Sequence, residues 1–281
     1  MKHFRPRLSR RAFWVICALL VCLRLALTGF QQAYIWVGGA PLDDELMFRA
    51  ANHITAGQWL GAYDYLTLSK AMFFPVWLAL LHALHLPYLI SGAALWCGAA
   101  LLAAFAFSTL WRKKDTEQGR VLTLGLFAAL AFLPSSWAAY TLRVYRDNIF
   151  PALCLYFFAG MAGMALRAVF TPEKPLWPWL AAAGAGLACG YLDREDAGLF
   201  LLPFAAAASV IVAVVLAGKR RWKALAAQVI PYVMLGVGVL TFCTLNYTHY
   251  GVFALSDFSE GSFAAAMGAA KAVSYTHLPL P

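Results

Sequence analysis

Residues 12–37 read AFWVICALLVCLRLALTGFQQAYIWV, and residues 38–45 follow as GGAPLDDE. The first run carries one charged side chain, Arg24, and exceeds the roughly 20 apolar residues needed to cross a bilayer. A basic head of Lys2, Arg5, Arg7, Arg10 and Arg11 precedes it. A cleaved signal peptide shares that layout, but its apolar region is shorter, about 7–15 residues, and here Pro41 falls where cleavage would have to occur. The run therefore reads as an uncleaved membrane anchor. Directly after the turn signal Gly38-Gly39-Ala40, the chain sets two carboxylates side by side, Asp43 and Asp44, with Glu45 next.

The composition agrees with a membrane protein. Of 281 residues, 62% are hydrophobic and 12% charged, about half the roughly 25% charged share of soluble domains. Such a chain has too little polar surface to cover itself in water. Further membrane-length segments fall near 88–111, 121–139, 148–168, 178–193, 197–217 and 224–245. The run 71–86 is apolar but short for a span, carries His82 and His85, and stops at Pro87. All six cysteines lie inside apolar segments without CxxC spacing and read as small buried hydrophobes. Gly186 and Gly190 form a GxxxG pattern that marks close helix packing.

The formal charge of +9 does not indicate a nucleic-acid partner, because Lys and Arg sit in short loops between apolar segments, where they encode orientation. If 71–86 crossed the membrane, Arg112-Lys113-Lys114 would fall outside, against the positive-inside rule. If it lies in the outer interface, fifteen basic residues fall inside with the N-terminus and six outside, with Arg24 within the first span. The fold class is then an all-α integral membrane protein of about seven transmembrane helices plus an interfacial helix in the first outer loop. Most acidic residues gather on the outer face. Acids contribute little to orientation, so their gathering points to a polar cavity.

Three clusters lie on that face. The first loop holds Asp43, Asp44, Glu45, Arg49, His53, Asp64 and Lys70. The loop before the fourth span holds Arg143, Tyr145, Arg146 and Asp147, and the loop after the fifth holds Asp193, Arg194, Glu195 and Asp196. Glycosyl transfer uses these residue types: a carboxylate takes the proton from the attacking hydroxyl, and cations stabilise a departing phosphate, which the planar fork of Arg suits. A plainer account pairs the charges as boundary markers, Asp147 with Arg143 or Arg146 and Arg194 with Glu195 or Asp196. His82 and His85 lack a third metal ligand nearby in sequence and read as interface residues. Asn246-Tyr247-Thr248 matches a glycosylation sequon, a common chance match.

In order, Asp43-Asp44, Gly57-Gln58-Trp59-Leu60-Gly61-Ala62-Tyr63, Thr67-Leu68-Ser69-Lys70 with Pro75, Arg146-Asp147, Arg194-Glu195-Asp196 and Asn246-Tyr247-Thr248-His249-Tyr250-Gly251-Val252-Phe253 resemble bacterial GT-C-type polytopic membrane glycosyltransferases. That superfamily includes protein mannosyltransferases and lipid A aminoarabinose transferases. The resemblance covers residues 1–272 and implies a GT-C-like transmembrane catalytic module. It implies a polyprenyl-phosphate-linked sugar donor, a glycan, lipid or protein acceptor, and inversion at the anomeric carbon. Asp43 or Asp44 matches the catalytic acid of the first loop. Lys70, Arg194 and Arg146 fall at donor-phosphate positions, with Asp147, Glu195 and Tyr63 as neighbours. No cofactor is implied, and a divalent metal is left open. The chain departs from such relatives at Lys70-Ala71-Met72, where they have Lys-Gly-Pro, and at Arg194-Glu195-Asp196-Ala197, where they have Arg-Glu-Glu-Gly.

The expectation is a multi-pass inner-membrane glycosyltransferase with a cytoplasmic N-terminus and an active site on the outer face. The alternative is a transporter or flippase of a lipid-linked glycan, which would place ionisable residues near mid-membrane. A third reading is a scaffold subunit with a decayed site. Residues 273–281, VSYTHLPLP, break the pattern and resemble a translated sequencing-adaptor tail; the natural protein is expected to continue past the truncated module.

Overall fold

A computed structural model describes residues 8–36, 38, 41–111, 116–171, 173–257, 265–266 and 269. The basic residues 1–7 and 112–114 and the tail 273–281 lie outside the described residues. Ser9 starts α1 (Arg10–Gly29) by accepting the Ala12 N–H on its hydroxyl at 3.1 Å. The helix stops well short of the predicted end at residue 37. Gly29, Gln31 and Gln32 weaken the apolar helical pattern, and the chain becomes extended. Tyr34 then gives its N–H to the Leu142 carbonyl (3.2 Å) and accepts the Val144 N–H (2.8 Å), so these backbone groups are paired without a helix.

Pro41 opens α2 (Pro41–Thr55), a first-turn position where the N–H that proline lacks would have no helical partner. Asp43 and Asp44 occupy that turn, where the partial positive charge of a helix N-terminus favours carboxylates. A looped segment leads to α3 (Phe73–Ala83). Its Gly61 has φ +93°, and a Cβ there would stand 2.4 Å from the His53 ring, so the close turn requires glycine. Next come α4 (Tyr88–Phe107), α5 (Thr116–Ala131), α6 (Phe150–Phe170), α7 (Trp177–Asp193), α8 (Ala197–Gly218), α9 (Trp222–Ala227) and α10 (Ile230–Tyr250). Among the described residues the architecture is all-helical, with one isolated bridge between Tyr34 and Arg143.

Five stretches are long and apolar enough to cross a membrane: Arg10–Gly29, Tyr88–Trp111, Phe150–Phe170, Ala197–Gly218 and Trp222–Tyr250. Every predicted span contains a helix, but α5 has 16 residues and α7 has 17. Their rise is about 24–26 Å, below a hydrocarbon core of about 30 Å. The predicted segment 121–139 is cut short by Pro134, which disfavours helix at Leu133 and lacks an N–H; the chain continues in 3-10 turns at Pro134–Trp137 and Ala139–Leu142. With 11 residues, α3 rises about 16 Å and is too short to cross. Both its flanks lie at one end of the bundle, since Ala71 bonds Glu195 and Tyr88 bonds the Arg143 carbonyl.

Packing follows the rules of a lipid solvent. Small residues fill the contacts between helices, while Leu19, Leu23, Leu199, Val210, Val214, Val237 and Leu240 point outward. The α6–α7 crossing is closest: a Cβ on Gly160 would stand 2.4 Å from the Ala183 nitrogen, and one on Gly186 2.4 Å from the Phe157 nitrogen. Gly190, the other half of the predicted motif, is looser, with Leu201 at 3.3 Å. None of the six cysteines is paired in a disulfide. At one end of the bundle Met47, Phe74, Tyr145 and Ile149 join α2 and α3 to the segment that enters α6. At the other, Arg120 bonds the Leu8 carbonyl and Lys219 the Ala168 and Val169 carbonyls. The acidic clusters thus share one end, and these basic residues the opposite one.

Candidate functional site

Adjacent residues on a helix point about 100° apart, and the first turn of α2 uses this to give its two aspartates different surroundings. Asp44 is buried, 2% exposed. Arg143 meets it with both fork positions, Nε on Oδ2 at 3.1 Å and Nη2 on Oδ1. The Trp36 N–H adds a third bond to Oδ2 at 2.7 Å. The hydrogen bond to Asp44 raises the Arg143 pKa against the opposing effect of burial. The guanidinium also lies 4.3 Å from the Tyr145 ring centroid. Asp44 is therefore a tie between α2, the chain leaving α1 and the segment before α6. Its lone pairs face protein.

Asp43 faces the other way and is open. Its side chain is 37% exposed, beside Lys70 Nζ at 3.5 Å and 30% exposed. The Tyr145 hydroxyl donates to Asp43 Oδ2 at 3.3 Å and accepts from Arg146 Nη2 at 2.8 Å. Burial, partly offset by Arg146, lifts the Tyr145 pKa, so the phenol stays protonated. Arg146 Nη1 reaches both Glu195 oxygens (2.9 and 3.0 Å) and the Asp193 carbonyl (3.0 Å). Glu195 accepts the Ala71 N–H at 2.6 Å, next in chain to Lys70. The result is a closed ring: Lys70, Asp43, Tyr145, Arg146, Glu195 and back to residue 71. Asp43 and Lys70 form its open edge; the Arg146 side chain is its buried anchor, 6% exposed.

The ring's charges are held by one another. Burial alone would push the Glu195 carboxyl up, but Arg146 and the Ala71 N–H outweigh it and hold Glu195 below the ordinary glutamate value. Burial likewise disfavours charge on Arg146, yet Glu195 and Tyr145 raise its pKa overall. Beside the ring, Arg194 bonds Asp147 at 3.2 Å and Asp196 at 3.0 and 3.3 Å. Asp193 is fully buried, and both its carboxylate oxygens lack a hydrogen-bond partner among the described residues.

Of the residues singled out from sequence, Asp43, Lys70, Arg146 and Glu195 come together, with Arg194 and Asp147 alongside. Arg146 is committed to Glu195 and Tyr145. Among the described residues Lys70 has one long ion pair, to Asp43. Tyr63 lies elsewhere: its hydroxyl donates to Asp257 at 2.9 Å and its ring packs against Tyr250. The simple pairings also shift. Asp147 pairs with Arg194 rather than Arg143 or Arg146, and Arg194 takes Asp196 as expected. Tyr145 has a larger role than its place in the second cluster indicated; among the described residues it connects Asp43 to Arg146. The sequon residue Asn246 is buried at 1% exposure, held between Trp59 and the Ala254 carbonyl, so it offers no acceptor amide. Among the described residues no group of three His, Cys, Asp or Glu side chains could hold a metal.

This arrangement can bind an anion at Lys70 and take a proton at Asp43 on the same open edge. Fold and site define a class, a multi-pass α-helical membrane protein with an acid–base ring at one end of its bundle. No family model, curated protein or solved structure matches the chain.

Proposed function

We propose that the protein is an inverting membrane glycosyltransferase of GT-C type. It moves a sugar from a polyprenyl-phosphate carrier to a glycan, lipid or protein acceptor on the outer face of the cytoplasmic membrane. The observation that carries the reading is the open pair of Asp43 and Lys70, 3.5 Å apart. In the resting state Lys70 occupies Asp43. A donor phosphate competes for the ammonium and frees the carboxylate as it docks. The acceptor hydroxyl then attacks the anomeric carbon, the bond from that carbon to phosphate oxygen breaks, and the hydroxyl proton passes to Asp43. Lys70 stabilises the departing polyprenyl phosphate, with Arg194 as the second cation once phosphate displaces Asp147 or Asp196. Arg146 holds Tyr145 and Glu195 in place behind them.

The seven-span reading belongs to this proposal. The short helices α5 and α7 run between the acidic and basic ends, because Ser136 after α5 meets Arg24 and Asp193 of α7 meets Arg146. With the N-terminus cytoplasmic, α3 lies in the outer interface. Among the described residues, charges other than Arg24 gather at bundle ends, which favours a rim-located reaction over transport through a mid-membrane site.

The test measures donor binding and sugar transfer separately, with a polyprenyl-phosphate sugar and isolated membranes. Asp43→Asn should lower transfer by about two to four orders of magnitude while donor binding stays within a few-fold. Lys70→Gln should weaken both. Unchanged transfer in Asp43→Asn removes the base. Translocation of the lipid-linked sugar without transfer identifies a flippase instead.

A further inference from the structure

A second pocket lies between α1, α4 and the turns of residues 134–148, a cavity of about 50 Å³ that opens to solvent. None of the ring residues lines it, and among the described residues Arg24 is the only charged side chain that does. Arg24 is 3% exposed. Its Nη2 donates to the Ser136 carbonyl at 2.7 Å, and its guanidinium carbon lies 3.3 Å from the Trp137 ring centroid. Its Nε and Nη1 have no hydrogen-bond partner among the described residues. A desolvated cation with no carboxylate in its pocket is costly, and the face of Trp137 offsets only part of that cost. Two unused donors on a planar fork match the oxygens of a phosphate.

A second, independent feature stands in the same pocket. The Asn148 amide nitrogen donates to the Thr141 carbonyl at 2.8 Å, which fixes which end of the amide is oxygen. That oxygen, Oδ1, is buried and also has no partner among the described residues. Opposite it, α4 carries Gly92, where a Cβ would stand 2.1 Å from Oδ1. Oδ1 is thus pressed against the Gly92 backbone, which a larger residue would deny it, and remains a buried acceptor without a donor among the described residues.

We propose that this pocket binds a phosphate ester that carries a neighbouring hydroxyl or amine. The phosphate takes the Nε and Nη1 donors of Arg24, and the hydroxyl or amine donates to Asn148 Oδ1. Both an anionic lipid headgroup and a soluble phosphate ester have this chemistry. The site is separate from the Asp43–Lys70 edge and stands whether or not that edge transfers sugar.

The experiment follows thermal unfolding of the purified chain in a neutral detergent. It is titrated with dihexanoyl-phosphatidylglycerol, dihexanoyl-phosphatidylcholine or glycerol 3-phosphate. Saturable stabilisation by phosphatidylglycerol but not phosphatidylcholine is expected. Stabilisation by glycerol 3-phosphate as well identifies a site for phosphate esters at large; its absence identifies a lipid headgroup site. Arg24→Gln should weaken the response about tenfold or more, the loss of charge-assisted hydrogen bonds. Asn148→Asp, which gives the guanidinium a carboxylate at nearly constant volume, should do the same and decides the matter if Arg24→Gln does not fold. No saturable response to phosphatidylglycerol or glycerol 3-phosphate, an equal response to phosphatidylcholine, or variants that respond like the parent overturns the proposal.

Discussion

At the scale of single residues, the two aspartates of α2 should separate cleanly. Asp44→Asn leaves Arg143 buried without its counter-charge, so it should destabilise the fold by about 3 kcal/mol, read as a lower unfolding temperature in detergent. Asp43 is open, so Asp43→Asn should leave stability within about 0.5 kcal/mol while abolishing most transfer. Glu195 gives a pH prediction with a definite sign. Its folded pKa lies below the ordinary value of 4.5. Its contribution is therefore fully present above that value and lost as pH falls through the lower folded value. Stability measured from neutral pH down to strongly acid pH should fall in that window, and Glu195→Gln should flatten this part of the curve. The acid pair was legible from the sequence because carboxylates beside a span stand out. Which one is open was not, since the answer depends on Arg143, about a hundred residues away along the chain.

At the scale of elements, the α6–α7 crossing sets where the ring closes. α7 delivers Asp193 and, just past its end, Glu195, and the segment before α6 delivers Tyr145 and Arg146. Gly186→Ala places a methyl group against the Phe157 backbone and should cost about 1–3 kcal/mol. Gly190→Ala meets only the tip of Leu201 and should cost clearly less. Equal unfolding temperatures for the two variants would contradict the packing. The GxxxG signature announced this contact but not its asymmetry, because spacing fixes which residues share a helix face and not how deeply each is pressed. Helix ends were the least readable feature. Hydropathy carried α1 on to residue 37, whereas Gly29 and the paired glutamines release the chain into a bridge with residues 142–144. Hydropathy also ran α5 through Pro134, where the backbone must leave the helix.

At the scale of the whole molecule, the sorting of charge between bundle ends gives a labelling prediction. Tyr65, 84% exposed, belongs to the acidic end, and Arg220 is exposed at the basic end. In intact cells an impermeant thiol reagent should label Tyr65→Cys from outside and leave Arg220→Cys unlabelled until the membrane is opened. The reverse pattern would invert the orientation and put the ring in the cytoplasm. A membrane-embedded helical class was legible from composition alone. The ring was legible only as three separate clusters, because Tyr145 and the Ala71 N–H, which connect them, have no charge to draw the eye.

The Asp44–Arg143 tie also bears on how the protein is made. The two partners are 99 residues apart, so at about 5–20 residues per second the carboxylate waits about 5–20 s for its arginine to be synthesised. During that interval α2 has its paired acids but no cation from the segment before α6. A nascent chain halted before Arg143 should therefore leave α2 loosely attached and open to protease, and one halted after α7 should protect it. The order of synthesis means that the site cannot close until α7 has been made.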